Sequence, residues 1–295
     1  MMTMGQRTFD HFEYNTDLQQ PVIGKLRRRK ERKEKEDRIF NYTKPSDWIF
    51  DERDWKRAVE IREHERIYSL TSETAFQSLV FSILSQKEKY SKQVSMYSKL
   101  KVAGFLEPRK IIDEPIRFSK IMKKSSLSED KIGYLTSLSE FWTSSNGSYF
   151  KRVKKDLKSD QSNGDQLRDE IVKNVKGVAY KTASLAFLKY GYEDFFSLDI
   201  WHLRYAKSQD VFEKIGLKNE TVLRRLEIPQ NRYKKVEAEL GKIAKEYDES
   251  LENYKVTNAV MDACIWGKYA NWTPKAKEGY RNNYSCNIFS HNTEK

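Results

Sequence analysis

From Asp47 onward the apolar residues recur at the three- and four-residue spacing of a helix face, not at the alternate spacing of a strand. Phe76, Leu79, Val80, Ile83 and Leu84 form one such stripe, and Thr71 or Ser72 ahead of it is suited to cap the helix start. Tyr90, Val94, Tyr97 and Leu100 predict a second helix, and shorter helical pieces fit 117–124 and 129–142. The polar words SNGS (145–148) and KSDQSNGD (158–165) break the pattern and predict loops. Helical spacing resumes around Leu167, Ile171 and Val172. Tyr233, Val236, Leu240, Ile243 and Tyr247 then mark a long helix, and Val256, Val260, Ala263 and Gly267 mark the last. No segment alternates like a strand, and no internal repeat is visible. The expected fold class is all-α.

Residues 1–45 carry little periodicity. Within them Lys25 to Arg38 (KLRRRKERKEKEDR) is a charge run with no apolar face, which predicts a basic arm. Such an arm is either a plain solvated segment or one that tracks a polyanion. The whole chain is basic too: 55 Lys+Arg against 43 Asp+Glu give a net charge of +12. That excess favours a polyanionic partner through phosphate contacts and counterion release. The only cysteines are Cys264 and Cys286, and the four histidines are scattered without ligand spacing. The chain by itself therefore builds neither a zinc ribbon nor an iron–sulfur cluster, and no metal or other cofactor is expected. No apolar run approaches the ~20 residues that span a bilayer, and the start of the chain lacks a secretory core. The expectation is an intracellular protein of the cytoplasm, nucleoid or nucleus, with no membrane partner.

The chemistry concentrates between Val175 and Asp199. Helical residues lead into Val175-Lys176-Gly177-Val178-Ala179-Tyr180, and a new helix is expected near Lys181. Small residues at 177 and 179 let backbone N–H groups approach a phosphate, and a helix N-terminus adds its positive dipole end. Lysine in a first helical turn sits at the unfavourable end of that dipole, a placement that costs a few tenths of a kcal/mol. Asp199 follows eighteen positions later, ahead of Ile200, Trp201, His202 and Leu203. Alone it reads as an N-cap. The two roles are compatible, because a capping carboxylate is a well-fixed one.

Together these residues resemble the helix-hairpin-helix DNA glycosylases, whose hairpin reads roughly L-P-G-[VI]-G-x-K-[TV]-A. The same nine positions here are Val175, Lys176, Gly177, Val178, Ala179, Tyr180, Lys181, Thr182 and Ala183. The resemblance implies that Lys181 is the Schiff-base nucleophile and Asp199 the essential carboxylate, with Lys176, Gly177 and Ala179 on the DNA. Ile83-Leu84-Ser85-Gln86 is similar to a family element whose glutamine fills the gap left by an extruded base, which makes Gln86 the wedge candidate. Trp201, His202, Trp266 or Trp272 would stack on that base. Two positions depart from the pattern. Lys176 replaces proline, and Ala179 replaces a glycine; if position 179 needs φ > 0, alanine there costs about 1 kcal/mol.

The words VKNVKG, YKTAS, KYGY and LDIWHLR look most like the compact archaeal-type 8-oxoguanine DNA glycosylases. That resemblance implies two helical domains with the active site in the cleft between them. Residues 75–190 would form the hairpin-bearing bundle, and 46–74 with 191–270 its partner; 271–295 would be a C-terminal extension. The implied activity is base excision with β-elimination at the resulting abasic site, by a monomer acting on double-stranded DNA that holds a damaged base, 8-oxoguanine in the first instance. Two other readings stay open. An endonuclease III-like enzyme would use the same pair on oxidised pyrimidines, and a non-catalytic hairpin module would need neither Lys181 nor Asp199.

Overall fold

The structure is a computed structural model that describes residues 49–86, 88, 90–123, 129–159, 162–218 and 228–269. The basic run 25–38, Trp272 and the 271–295 segment lie outside the described residues. Those described form helices and no strand, as the hydrophobic pattern predicts. In chain order the helices are α1 (Glu52–Glu65), α2 (Ser72–Leu84), α3 (Tyr90–Val102), α4 (Pro108–Asp113), α5 (Pro115–Lys123), α6 (Glu129–Ser144) and α7 (Ser148–Asp156). They continue as α8 (Gly164–Asn174), α9 (Tyr180–Tyr190), α10 (Ile200–Ser208), α11 (Val211–Lys214), α12 (Gln230–Ser250) and α13 (Asn258–Tyr269). None of them is long and apolar enough to cross a membrane.

Caps fix several helix starts. Asp51 and Asp54 make a reciprocal capping box on α1, and Thr71 and Thr74 make another on α2. The α2 stripe is fully buried, and every other residue from Thr74 to Leu84 is buried too. Small residues explain why: Ala75, Ser78 and Ser82 let neighbouring helices close on faces the pattern leaves polar. Ser82 Oγ meets its hydrogen-bond need within the helix, donating to the Ser78 carbonyl at 2.9 Å.

The buried side chains fall into two core clusters. One gathers α2 to α9, centred on Phe76, Phe81, Leu100, Leu135, Ile171 and Phe187. The other gathers α1 and α10 to α13, with Trp55, Phe196, Leu203, Phe212, Leu240 and Met261. In the second, α13 lies against α1 with little clearance: a Cβ on Gly267 would stand 2.7 Å from Ile61 Cδ1.

Arg168 of α8 couples the clusters. Its side chain is fully buried and donates to both carboxylate oxygens of Glu237 on α12, at 2.7 and 2.6 Å. Ser184 Oγ and Asp165 Oδ1 accept from it as well, each at 2.7 Å. Nearby, Tyr180 at the start of α9 stacks on Tyr233 of α12 with ring centroids 5.3 Å apart.

Candidate active site

The hairpin is α8, the turn 175–178, and α9. Val178 N–H donates to the Val175 carbonyl at 3.2 Å, and Gly177 takes φ 78° at the third position of the turn. Both valines are buried and anchor the turn, while Lys176 between them is exposed. Glycine at 177 is required twice over. The left-handed φ penalises any side chain, and a Cβ would lie 2.1 Å from Cγ of Tyr134.

Ala179 behaves differently. It is the N-cap of α9 at φ −99°, ψ 172°, extended backbone that alanine adopts without strain. The cost expected for a missing second glycine does not arise. No side chain caps α9, and among the described residues the N–H groups of Gly177 and Ala179 have no hydrogen-bond partner. The Lys176 N–H differs, because it donates to Ser137 Oγ at 3.0 Å.

Gln86 has a place other than the one its helix-end position predicts. Its Nε2 donates to the Gly177 carbonyl at 2.8 Å and to Thr182 Oγ1 at 2.9 Å. Both amide hydrogens thus hold the hairpin to the end of α2. To act as a wedge in DNA, Gln86 would first have to release it.

Lys181 is exposed on the first turn of α9. Asp199 is the N-cap of α10, and its Oδ1 accepts from the N–H groups of Trp201 (2.8 Å) and His202 (3.2 Å). His202 Nδ1 meets the same oxygen at 2.7 Å. Every one of these bonds falls on Oδ1; among the described residues none reaches Oδ2. Burial works against the Asp199 carboxylate, but the charge and hydrogen bond of His202 outweigh it. Lys181 lies near enough to add its own charge to that effect, and the carboxyl is held down at about 2. The structure therefore brings Lys181 and Asp199 into one electrostatic neighbourhood. Arg204, one turn into α10, shares it: burial lowers its guanidinium pKa and Asp199 counters that effect.

The candidate base-stacking residues separate. His202 has a fully buried side chain, and its Nε2 stands 3.0 Å from Asp262 Oδ1 as an ion pair, too far off line for a straight hydrogen bond. With a carboxylate on each side it presents no open face to a base; its place is beneath Asp199. Burial opposes the imidazolium, yet the charges of Asp262 and Asp199 prevail and lift it to about 10. Trp201 is half-buried with the Arg204 guanidinium 4.4 Å above its ring. Trp266 packs against both core clusters. Sequence reasoning gave no role to Asp262, although a carboxylate inside the apolar run Val260 to Ile265 is itself a signal of a buried polar partner.

Comparison with solved structures finds the 8-oxoguanine DNA glycosylase of Methanocaldococcus jannaschii, 19% identical over 72% of this chain and 85% of that one, with a TM-score of 0.47. The 8-oxoguanine glycosylase/lyase of the same organism, in complex with a 15mer DNA containing 8-oxoguanine, is 19% identical over 74% of this chain and 89% of that one, at 0.45. The 8-oxoguanine DNA glycosylase of Thermotoga maritima is 20% identical over 80% and 94%, at 0.46. No curated protein sequence matches. The sequence profile of the Ogg-HhH family, 8-oxoguanine DNA glycosylase, matches residues 57–249, more than half of the chain and inclusive of the hairpin, Lys181 and Asp199. The chain belongs to the 8-oxoguanine DNA glycosylase family.

Proposed function

We propose that this chain excises 8-oxoguanine from duplex DNA and then cleaves the strand by β-elimination, with Lys181 as nucleophile and Asp199 as its electrostatic partner. The observation that carries the reading is a lysine at one helix start whose charge reaches a half-satisfied, ionised carboxylate at the next. The damaged nucleotide must leave the stack, since its sugar carbon is out of reach inside the duplex. The hairpin N–H groups of Gly177 and Ala179 and the uncapped start of α9 hold a phosphate beside it, with Lys176 adding charge.

Lys181, as the free amine, attacks the anomeric carbon while the bond to the base breaks and the base leaves with the bonding pair. Asp199 could serve this step as a proton acceptor or as a fixed negative charge. A carboxylate held at about 2 accepts protons poorly, so the second role is favoured: Oδ2 stabilises positive charge as it builds on the sugar. Ring opening then gives an imine between Lys181 and the sugar carbon. Loss of a proton from the neighbouring carbon expels the 3′ phosphate. We place the reacting sugar between the two core clusters, with 46–74 and 191–270 as one domain, 75–190 as the other, and a monomer as the working unit.

Borohydride trapping on a panel of lesion duplexes tests this reading. Wild-type protein should give a covalent adduct, and cleavage of 8-oxoguanine duplexes should outpace that of thymine glycol or uracil-mismatch duplexes. Lys181→Gln should trap nothing while DNA affinity stays within about three-fold, because one of many phosphate-directed charges is lost. Undiminished trapping by that variant removes Lys181 from the mechanism; faster cutting of thymine glycol overturns the substrate but not the chemistry.

A further inference from the structure

The run into Asp199 is not helical, yet the amides of Phe196, Ser197 and Leu198 are each held by a side chain from elsewhere. Phe196 N–H donates to Glu237 Oε1 at 2.9 Å, Ser197 N–H to Asp262 Oδ1 at 2.6 Å, and Leu198 N–H to the Tyr233 hydroxyl at 2.9 Å. Asp199 N–H faces His202 Nδ1 at 3.3 Å. Asp262 does two things: it holds Ser197, whose Oγ also donates to it at 3.1 Å, and it pairs with the far side of His202.

We propose that Asp262, acting through His202, is a positioning residue that keeps the Asp199 carboxylate charged and fixed, with Oδ1 occupied and Oδ2 left for the sugar. The inference rests on the catalytic reading of Asp199 given above. A neutral ring between two buried carboxylates would leave two negative charges with one shared donor. A doubly protonated ring donates from Nδ1 to Asp199 Oδ1 and faces Asp262 through Nε2, which halves the uncompensated charge. The 2.7 Å Nδ1 to Oδ1 contact, shorter than the 3.3 Å approach of the Asp199 N–H, agrees with Nδ1 acting as donor. Asp262 and Asp199 are the charged groups that face His202, whose other close neighbour is the edge of the Phe196 ring. Asp199 in turn feels His202, Lys181 and Arg204. A structural partner of Ser197 alone would need no second carboxylate contact to a ring.

Asp262→Asn separates the two jobs, because the amide oxygen still accepts from Ser197 while the charge is gone. Single-turnover excision of 8-oxoguanine should fall about ten-fold at neutral pH, and the acid limb of the rate profile should move up by about one pH unit. Affinity for a duplex with an abasic-site analogue should stay within about two-fold, since the hairpin is untouched. His202→Gln should show the same shift of the acid limb, and the double variant should be no slower than His202→Gln alone, the signature of one pathway. Nitrogen NMR of the wild-type imidazole should show both ring nitrogens protonated at pH 8. An unmoved acid limb in Asp262→Asn, or additive losses in the double variant, overturns the proposal while leaving the enzyme reading intact. If the wild-type protein neither excises nor traps, the enzyme reading falls, and a neutral His202 ring at pH 8 overturns the proposal on its own.

Discussion

Gly177→Ala is the sharpest test of the hairpin, because two separate penalties meet at one methyl group. The first is backbone: φ 78° is left-handed, and a Cβ there costs about 1–2 kcal/mol. The second is contact. The new Cβ would sit 2.1, 2.2 and 2.4 Å from three carbons of the Tyr134 ring, so the ring or the turn must move as a body. Forced overpacking of this kind costs about 1–3 kcal/mol. The sum is about 2–5 kcal/mol, to be read from urea unfolding of the whole protein. Tyr134→Ala removes the obstacle but not the φ, so alanine at 177 in that background should cost only the first part. A double-mutant cycle should then give a coupling of about 1–3 kcal/mol. Salt-dependent DNA binding should weaken in Gly177→Ala, since the N–H groups of Gly177 and Ala179 ride on the same turn. Stability within about 0.5 kcal/mol of wild type, with no coupling to Tyr134, would refute the argument.

Other substitutions address the remaining parts. Ala179→Gly restores the family's second glycine yet should not stabilise the protein, because position 179 is already extended; a higher unfolding midpoint would show that strain is stored there. Asp199→Asn should slow base excision at least about a hundred-fold, although asparagine caps a helix nearly as well; near-wild-type turnover would leave Asp199 a cap and nothing more. His202 also predicts how stability depends on pH. Its folded pKa, about 10, lies above the ordinary 6.5, so its contribution is complete below 6.5 and is lost as pH rises through 10. Asp199 acts at the other end, with a contribution present above 3.8 and lost as pH falls toward 2. Urea midpoints should therefore decline from pH 7 to pH 10 and below pH 4, and a flat alkaline side would count against a charged His202.

What the sequence made legible was local. The hairpin, Lys181 and Asp199 each depend on a few neighbouring residues: a glycine at a turn, a helix start, a cap. Their types survive being read one segment at a time. The contacts of Gln86 and His202 were illegible for the opposite reason. The partners of Gln86 are Gly177 and Thr182, and the second partner of His202 is Asp262, on a helix that begins long after it. Nothing near either residue announces those partners. Several helices escaped as well, α4 and α7 among them. The helix α4 has six residues with proline at its start, too short for a period. In α7 the buried positions Tyr149, Val153 and Asp156 are hidden among lysines and include a charged residue. The all-round burial of α2 was illegible because serine reads as polar, although Ser78 and Ser82 are fully buried.

The distance between Lys181 and Asp199, the proposed catalytic pair, is a tertiary property, and Glu237 sits where it is set. One carboxylate receives Arg168 from the hairpin helix α8 and the Phe196 N–H from the run that ends at Asp199. Through Arg168 it fixes where α9, and so Lys181, begins; through Phe196 it fixes the approach to Asp199. The pair is buried, so its value is not net stability, which a well-packed apolar pair could match. Its value is direction: a bidentate contact constrains angle as well as distance, and three aromatic rings face the guanidinium, Phe195 nearest at 4.1 Å. Losing Arg168 would leave the Glu237 charge buried without compensation, at about 3–5 kcal/mol. The proposed site, with Lys181 and Asp199 beside residues of different core clusters, needs a joint that resists rotation, and a buried ion pair shared between backbone and side chain supplies one.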